Sequence, residues 1–131
     1  RAHPTQGEVY FAPFDVVVSQ WDVVEPDLLF IAGDQLEILT DQNVRGTPAL
    51  VVEILSPSTR KRDLHVKRRL FERSGAREYW LVDPDRQLVR AFRRDGAGRF
   101  TGAAELLASG HAVLTTTLLP GWSLAMDRLF A

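Results

Sequence analysis

Three residues carry chemistry if the chain brings them together: Asp27, Glu53 and Lys67. Glu53 interrupts an otherwise apolar run, Ala49-Leu-Val-Val-Glu-Ile-Leu55, and an acid in such a run is rarely buried unless paired. Asp27 lies in a second strand-like segment, Val23-Val-Glu-Pro-Asp-Leu-Leu-Phe30. Lys67 belongs to residues 60–74, which read as one helix. At about 3.6 residues per turn, Leu64, Lys67, Leu70 and Phe71 share one face. That spacing predicts an ammonium in the middle of the core-facing stripe, where it needs carboxylate partners and its protonation becomes adjustable.

An Asp, a Glu and a Lys converging across a sheet and a helix suit metal-dependent phosphodiester hydrolysis. The metal neutralises developing charge and generates a hydroxide nucleophile. Magnesium takes oxygen ligands in octahedral geometry, often one or two carboxylates completed by carbonyls, waters and phosphate. Asp27 and Glu53 would supply the carboxylates and the Ile54 carbonyl a third ligand, with Mn²⁺ as the alternative ion. Lys67 would orient the attacking water or stabilise the pentavalent phosphate.

Structural readings compete with this one. Asp27 after Pro26 can mark a strand kink, and Glu53 with Lys67 can form a salt bridge that only ties helix to sheet. Asp63, one turn before Lys67, is another partner for the lysine or a first-turn acid favoured by the helix dipole. Ser56, Ser58 and Thr59 read as helix caps, because no histidine base is paired with them. Tyr79-Trp80 reads as strand packing rather than a base-stacking platform.

The positioning elements follow from pattern. Residues 14–20 and 23–32 look like consecutive valine-rich strands, and 48–55 like a buried central strand. Gly33 to Thr47 is polar and mixed and reads as a loop. Ser56-Pro-Ser-Thr59 stops the central strand, and the helix ends at Gly75, suited to the position after a helix C-terminus. Arg77-Glu-Tyr-Trp-Leu-Val-Asp83 and Gln87-Leu-Val-Arg-Ala-Phe-Arg93 are strands joined through Pro84-Asp85. Extended pieces at 99–107 and 112–119 and an amphipathic tail at 122–130 complete the chain. The order predicts an α/β fold, a mixed sheet with its central helix packed on one face.

At 131 residues the chain makes one domain, with 45% hydrophobic and 25% charged residues as in ordinary globular proteins. There are no cysteines, so disulfide frameworks and zinc–thiolate sites are excluded, and the three histidines lack ligand spacing. No apolar stretch approaches the ~18 residues of a membrane helix, and a reducing cytoplasm fits. Net charge is −1, which excludes a chain-wide polyanion binder. Yet seven of the sixteen basic residues fall between positions 60 and 73. That run is either a solvated helix face or a phosphate-contacting patch, with Arg60, Arg62 and Arg69 as candidate nucleic-acid contacts.

Glu25-Pro-Asp27, Leu50-Val-Val-Glu-Ile-Leu-Ser-Pro-Ser-Thr59, Asp63, Lys67, Gly75 and Glu78-Tyr-Trp-Leu-Val-Asp83 together resemble the Uma family. These are bacterial restriction-endonuclease domains within the PD-(D/E)xK nuclease superfamily. The resemblance covers roughly residues 9–125. It implies a restriction-endonuclease-like sheet with flanking helices, Mg²⁺-dependent DNA cleavage, and Asp27, Glu53 and Lys67 as motif residues. Leu55 stands where the superfamily's linear motif places lysine, so the resemblance assigns that role to Lys67 on the helix. Phe71 stands where such proteins commonly have Tyr. Such domains usually open with N-terminal helices bearing a further acid, and this chain is expected to begin after them. The expected partner is DNA, with a homodimer as one arrangement for cutting both strands. A non-catalytic nucleic-acid-binding module on the same fold is the second reading, and a purely structural domain the third.

Overall fold

The computed structural model describes residues 7–58 and 61–131, the Arg62 side chain excepted. Among the described residues eleven strands and two α-helices succeed one another: β1 (Gly7–Phe11), β2 (Val16–Val17), β3 (Val23–Val24), β4 (Leu28–Ala32), β5 (Val44–Arg45), β6 (Leu50–Ile54), α1 (Lys61–Ser74), β7 (Glu78–Asp83), β8 (Leu88–Arg94), β9 (Phe100–Leu107), β10 (Val113–Thr115), β11 (Ser123–Ala125) and α2 (Met126–Leu129). Six strands form the main sheet in the order β1-β4-β6-β7-β8-β9, and β3-β2-β5 and β10-β11 form two small sheets. Within the main sheet β6 and β7 are parallel and the other neighbours antiparallel. A parallel pair cannot be joined by a tight turn, and α1 is the crossover that returns the chain.

Alternation along β6 and β7 divides the core in two. Val51, Tyr79, Leu81 and Phe92 face α1 and pack with Phe71. Burying Phe71, 1% exposed, contributes roughly 1.5–3 kcal/mol. The opposite face presents Phe30, Leu50, Val52, Trp80 and Val89 to Leu114 and Met126. Leu29 and Ile31 of β4 pack on Val16 and Val44 of the small sheet.

Helix α1 stops at Gly75, whose φ of 104° favours glycine. The Gly75 and Ala76 amides both donate to the Phe71 carbonyl, at 3.2 and 3.0 Å. Arg94 reaches across from β8 to the Glu72 and Ala76 carbonyls and holds this end of the helix to the sheet.

Several elements differ from the sequence reading. β1 is a strand that the pattern left unassigned, paired along the whole of β4. The segment 23–32 is two strands, because Glu25-Pro26-Asp27 breaks it and proline supplies no ladder donor. Of residues 14–20 only Val16–Val17 pair, and of 112–119 only Val113–Thr115. In the latter, Thr116 Oγ1 turns back to accept from Leu118 N at 3.1 Å and ends the strand. Gly33–Ile38 is a 3₁₀ segment rather than loop. Gln35 organises it by accepting from Ala32 N at 3.0 Å and Ala49 N at 2.7 Å and donating to the Thr47 carbonyl at 2.9 Å. The amphipathic tail splits into β11 and the single turn α2, anchored by buried Met126.

Candidate functional site

The site forms where β6 ends. Glu53 is the next-to-last residue of that strand and points to the α1 face, 6% exposed among apolar neighbours. A carboxylate there must find donors or take up a proton. Lys67 Nζ donates to Glu53 Oε2 at 2.8 Å, and the Asp27 backbone N–H is a second donor to the same carboxylate.

Lys67 requires a correction. Its helical spacing predicted a buried ammonium, but its side chain is 42% exposed against 8% for Glu53. Lysine's long stem lets its head reach a buried carboxylate while part of the side chain stays in water. The buried partner is the acid, and the lysine bridges it to solvent. Its partner is Glu53 rather than Asp63, which is exposed.

Asp27 occupies the bend just before β4. Leu28 opposes Val52 in the antiparallel register, so Asp27 falls beside the end of β6. Its Oδ2 accepts from Ile54 N at 2.7 Å, and its side chain is exposed. The Pro26 bend thus frees Asp27 from the sheet and aims it at the strand terminus. Ile54 closes β6 with its amide held by Asp27 and its side chain 53% exposed.

These contacts set the electrostatics of Glu53. Burial pushes its pKa above the usual glutamate value of 4.5. The Lys67 hydrogen bond and charge oppose that, the nearby Asp27 charge adds to it, and the Asp27 amide works against it. Among the described residues no group of three or more His, Cys, Asp or Glu gathers as a ready-made metal cage. Two carboxylates, Asp27 and Glu53, are the side-chain oxygen donors gathered here. They fit Mg²⁺, which keeps several waters and accepts phosphate oxygens, and not a closed all-protein site.

The three candidate nucleic-acid contacts are not gathered at this point. Arg60 lies outside the described residues, as does the side chain of Arg62. Arg69 is exposed and, two residues on from Lys67, points to the other side of α1. There it lines a polar recess with Arg73, Arg94 and Arg99.

Tyr79 is a residue whose place behind the site was not read from sequence. It is 0% exposed, with its ring 5.5 Å from that of Phe71 and 6.4 Å from that of Phe100. Its hydroxyl has no hydrogen-bond partner among the described residues. Burial pushes the phenol pKa upward, the Glu53 charge adds to this, and Arg68 acts against it. The strand reading of Tyr79-Trp80 holds, since both side chains are buried. Strand alternation was the available signal, because it places Tyr79 on the same face as Leu81, the register partner of Glu53.

The family model Uma2, described as "Putative restriction endonuclease", matches residues 1–127. The crystal structure of a putative nuclease belonging to DUF820 from Anabaena variabilis matches with a TM-score of 0.77 at 16% identity, covering 96% of this chain and 69% of that one. At that identity the likeness establishes the fold, the α/β arrangement of a mixed sheet carrying its helix. No curated protein matches. No described helix is long and apolar enough to cross a membrane. By its sequence over nearly its whole length, this chain belongs to the Uma2 family.

Proposed function

We propose that the domain is a metal-dependent endonuclease that hydrolyses DNA phosphodiesters at the end of β6. One observation carries this reading: a buried glutamate shared between a helix lysine, 2.8 Å away, and the amide of an aspartate at the bend before the neighbouring strand. Asp27 and Glu53 would hold Mg²⁺ or Mn²⁺ with the Ile54 carbonyl. The ion, when bound, supplies charge neutralisation and a water of lowered pKa.

The chain's own residues supply the orientation. Lys67 and the Asp27 amide fix the Glu53 carboxylate, so its free lone pairs keep one direction. The Ile54 amide does the same for Asp27. The Lys67 side chain is 42% exposed, so its ammonium, bonded to Glu53, would also meet an incoming phosphate. From there it orients the attacking water and stabilises negative charge on the non-bridging oxygens as the P–O bond to the leaving group breaks. The water proton passes to solvent or to a phosphate oxygen. Cutting both strands would take two such sites, and hence a homodimer.

The test is nicking of supercoiled plasmid with and without Mg²⁺, comparing wild type with Lys67→Ala. Metal-dependent nicking that Lys67→Ala abolishes supports the reading. Equal nicking by both proteins, or nicking in EDTA, overturns it. One alternative is a nuclease fold that binds nucleic acid without cutting it, since among the described residues no third carboxylate joins Asp27 and Glu53. That alternative expects salt-sensitive DNA binding that survives Glu53→Ala, with no nicking by the wild type.

A further inference from the structure

A second feature lies on the α1 face, one strand removed from Glu53. The sheet register runs Glu53 to Leu81 to Arg90 across β6, β7 and β8. Adjacent strands lie ~4.8 Å apart, so Arg90 starts only about 10 Å from Glu53 along this row. Between this part of the sheet and the first half of α1 is a cleft of about 310 Å³. Its basic lining is Lys61, His65, Arg68 and Arg90, over an apolar floor that includes Leu81 and Phe92.

The two arginines are held in place. The Arg68 guanidinium sits 5.2 Å from the Phe92 ring centroid and that of Arg90 5.5 Å from the same ring. Cation–π contact orients a guanidinium without using its N–H donors; the Arg90 Nε is buried with no hydrogen bond among the described residues, so an anion would be met by the terminal amino groups of that guanidinium. Arg68 also bonds His65 Nδ1 at 3.2 Å, and no carboxylate pairs with Arg68 or Lys61 among the described residues. Arg90 meets Glu105 at 3.5 Å, with both side chains nearly half exposed. Such a pair is weak and gives way readily to a phosphate.

We infer that this cleft is a phosphate clamp for the nucleic-acid backbone beside the scissile bond, with Arg68 and Arg90 as its jaws and Lys61 at its mouth. The inference rests on the nuclease reading for its substrate. It differs from the patch read from sequence, because the contacts come from the inner flank of α1 and from β8 rather than from Arg69. A planar guanidinium pair on one ring suits phosphate oxygens, which take two parallel N–H donors. Successive backbone phosphates within one site-to-cleft span give a bound strand several charges to present.

The experiment is fluorescence anisotropy of a labelled DNA duplex of about two helical turns, titrated in EDTA over a series of NaCl concentrations. Arg68→Met and Arg90→Met keep an apolar cover on Phe92 and remove the charge, and Arg128→Met on α2, behind the opposite sheet face, is the control. Each cleft variant is expected to bind about 3–10-fold more weakly and to lower the salt slope by about one, while the control matches wild type. Urea unfolding of the same proteins shows that weakened binding is not lost folding. Wild-type affinity and slope in both cleft variants overturn the clamp, as does equal weakening by the control or the absence of salt-dependent binding in wild type. Because binding is read without metal, its result is separate from the plasmid assay. A clamp can stand while Lys67→Ala nicks normally, and nicking can depend on Lys67 while the clamp fails.

Discussion

Two glutamates in neighbouring strands are almost equally buried, Glu53 at 6% and Glu78 at 4% exposure. Each meets a cation whose side chain is half exposed, Lys67 at 42% and Arg93 at 43%. Their surroundings differ. Glu78 opens β7 on the apolar face and receives Trp80 Nε1 at 2.9 Å, Arg93 Nε at 3.2 Å and the Thr116 hydroxyl. Those donors come from three separate strands or loops and close around it. Glu53 lies near the carboxyl end of β6, has another carboxylate beside it, and is pushed above the ordinary glutamate pKa. Ligand sites in sheets with parallel strands favour those carboxyl ends, where the chain leaves the sheet and opens a crevice. Burial with an ion pair does not distinguish a structural acid from a reactive one. The distinction lies in whether the lone pairs are all taken and whether a like charge stands nearby.

The comparison is most exposed to a pair of substitutions. Glu53→Gln should cut metal-dependent nicking by about 10²–10³-fold or more, with thermal stability no lower than wild type at neutral pH, because the neutral amide carries no buried charge and Lys67 can turn to water. Nicking at the wild-type rate would remove Glu53 from the site. Glu78→Ala should do the reverse. It leaves the Trp80 N–H and the Thr116 hydroxyl buried without their acceptor, at a cost of about 2–4 kcal/mol in urea unfolding. Nicking per folded molecule should be retained. A Glu78→Ala protein as stable as wild type would mean the network is dispensable.

A smaller effect is pH dependence. The folded-state pKa of Glu53 lies above its ordinary value of 4.5, so the folded protein holds this proton more tightly than the unfolded chain. Its contribution to stability is complete below about pH 4.5 and is lost as pH rises through the raised folded value. The difference between wild type and Glu53→Gln in urea midpoints should grow in that window and then level off. A difference constant with pH would contradict the burial argument. Metal affinity should rise across the same window, because the ligand must shed its proton.

The smallest expected change is Tyr79→Phe. It deletes a buried hydroxyl with no partner among the described residues and leaves the ring stack intact. Relief of that desolvated group should raise stability by up to about 1 kcal/mol. A clear loss of stability would mean that the hydroxyl has a partner in solution.

Much of the architecture was legible locally. The apolar run around Glu53, the 3.6-residue period of α1, its stop at Gly75 and the strand read over Arg77–Asp83 are short-range signals, and each element formed within a residue or two of its pattern. Less legible were β1, edge-like with Val9 and Phe11 exposed, and the two-residue strands of the small sheet. Pairing of such short pieces depends on distant partners, not on their own residues. The depth of Lys67 was misread for a related reason. Helical period gives the direction of a side chain, while the packing around it decides how much of that side chain water reaches.

The sequence by itself determined which residue types were available and which faced together: an acid inside an apolar strand, a lysine on the inner stripe of a helix, and an aspartate after a proline bend. Local periodicity and backbone sterics suffice for that. Only the tertiary structure decided that Asp27 lies beside the end of β6, that Lys67 takes Glu53 and not Asp63, and that Arg68 and Arg90 share one ring. Those outcomes follow from strand order and register, which join residues far apart in the chain.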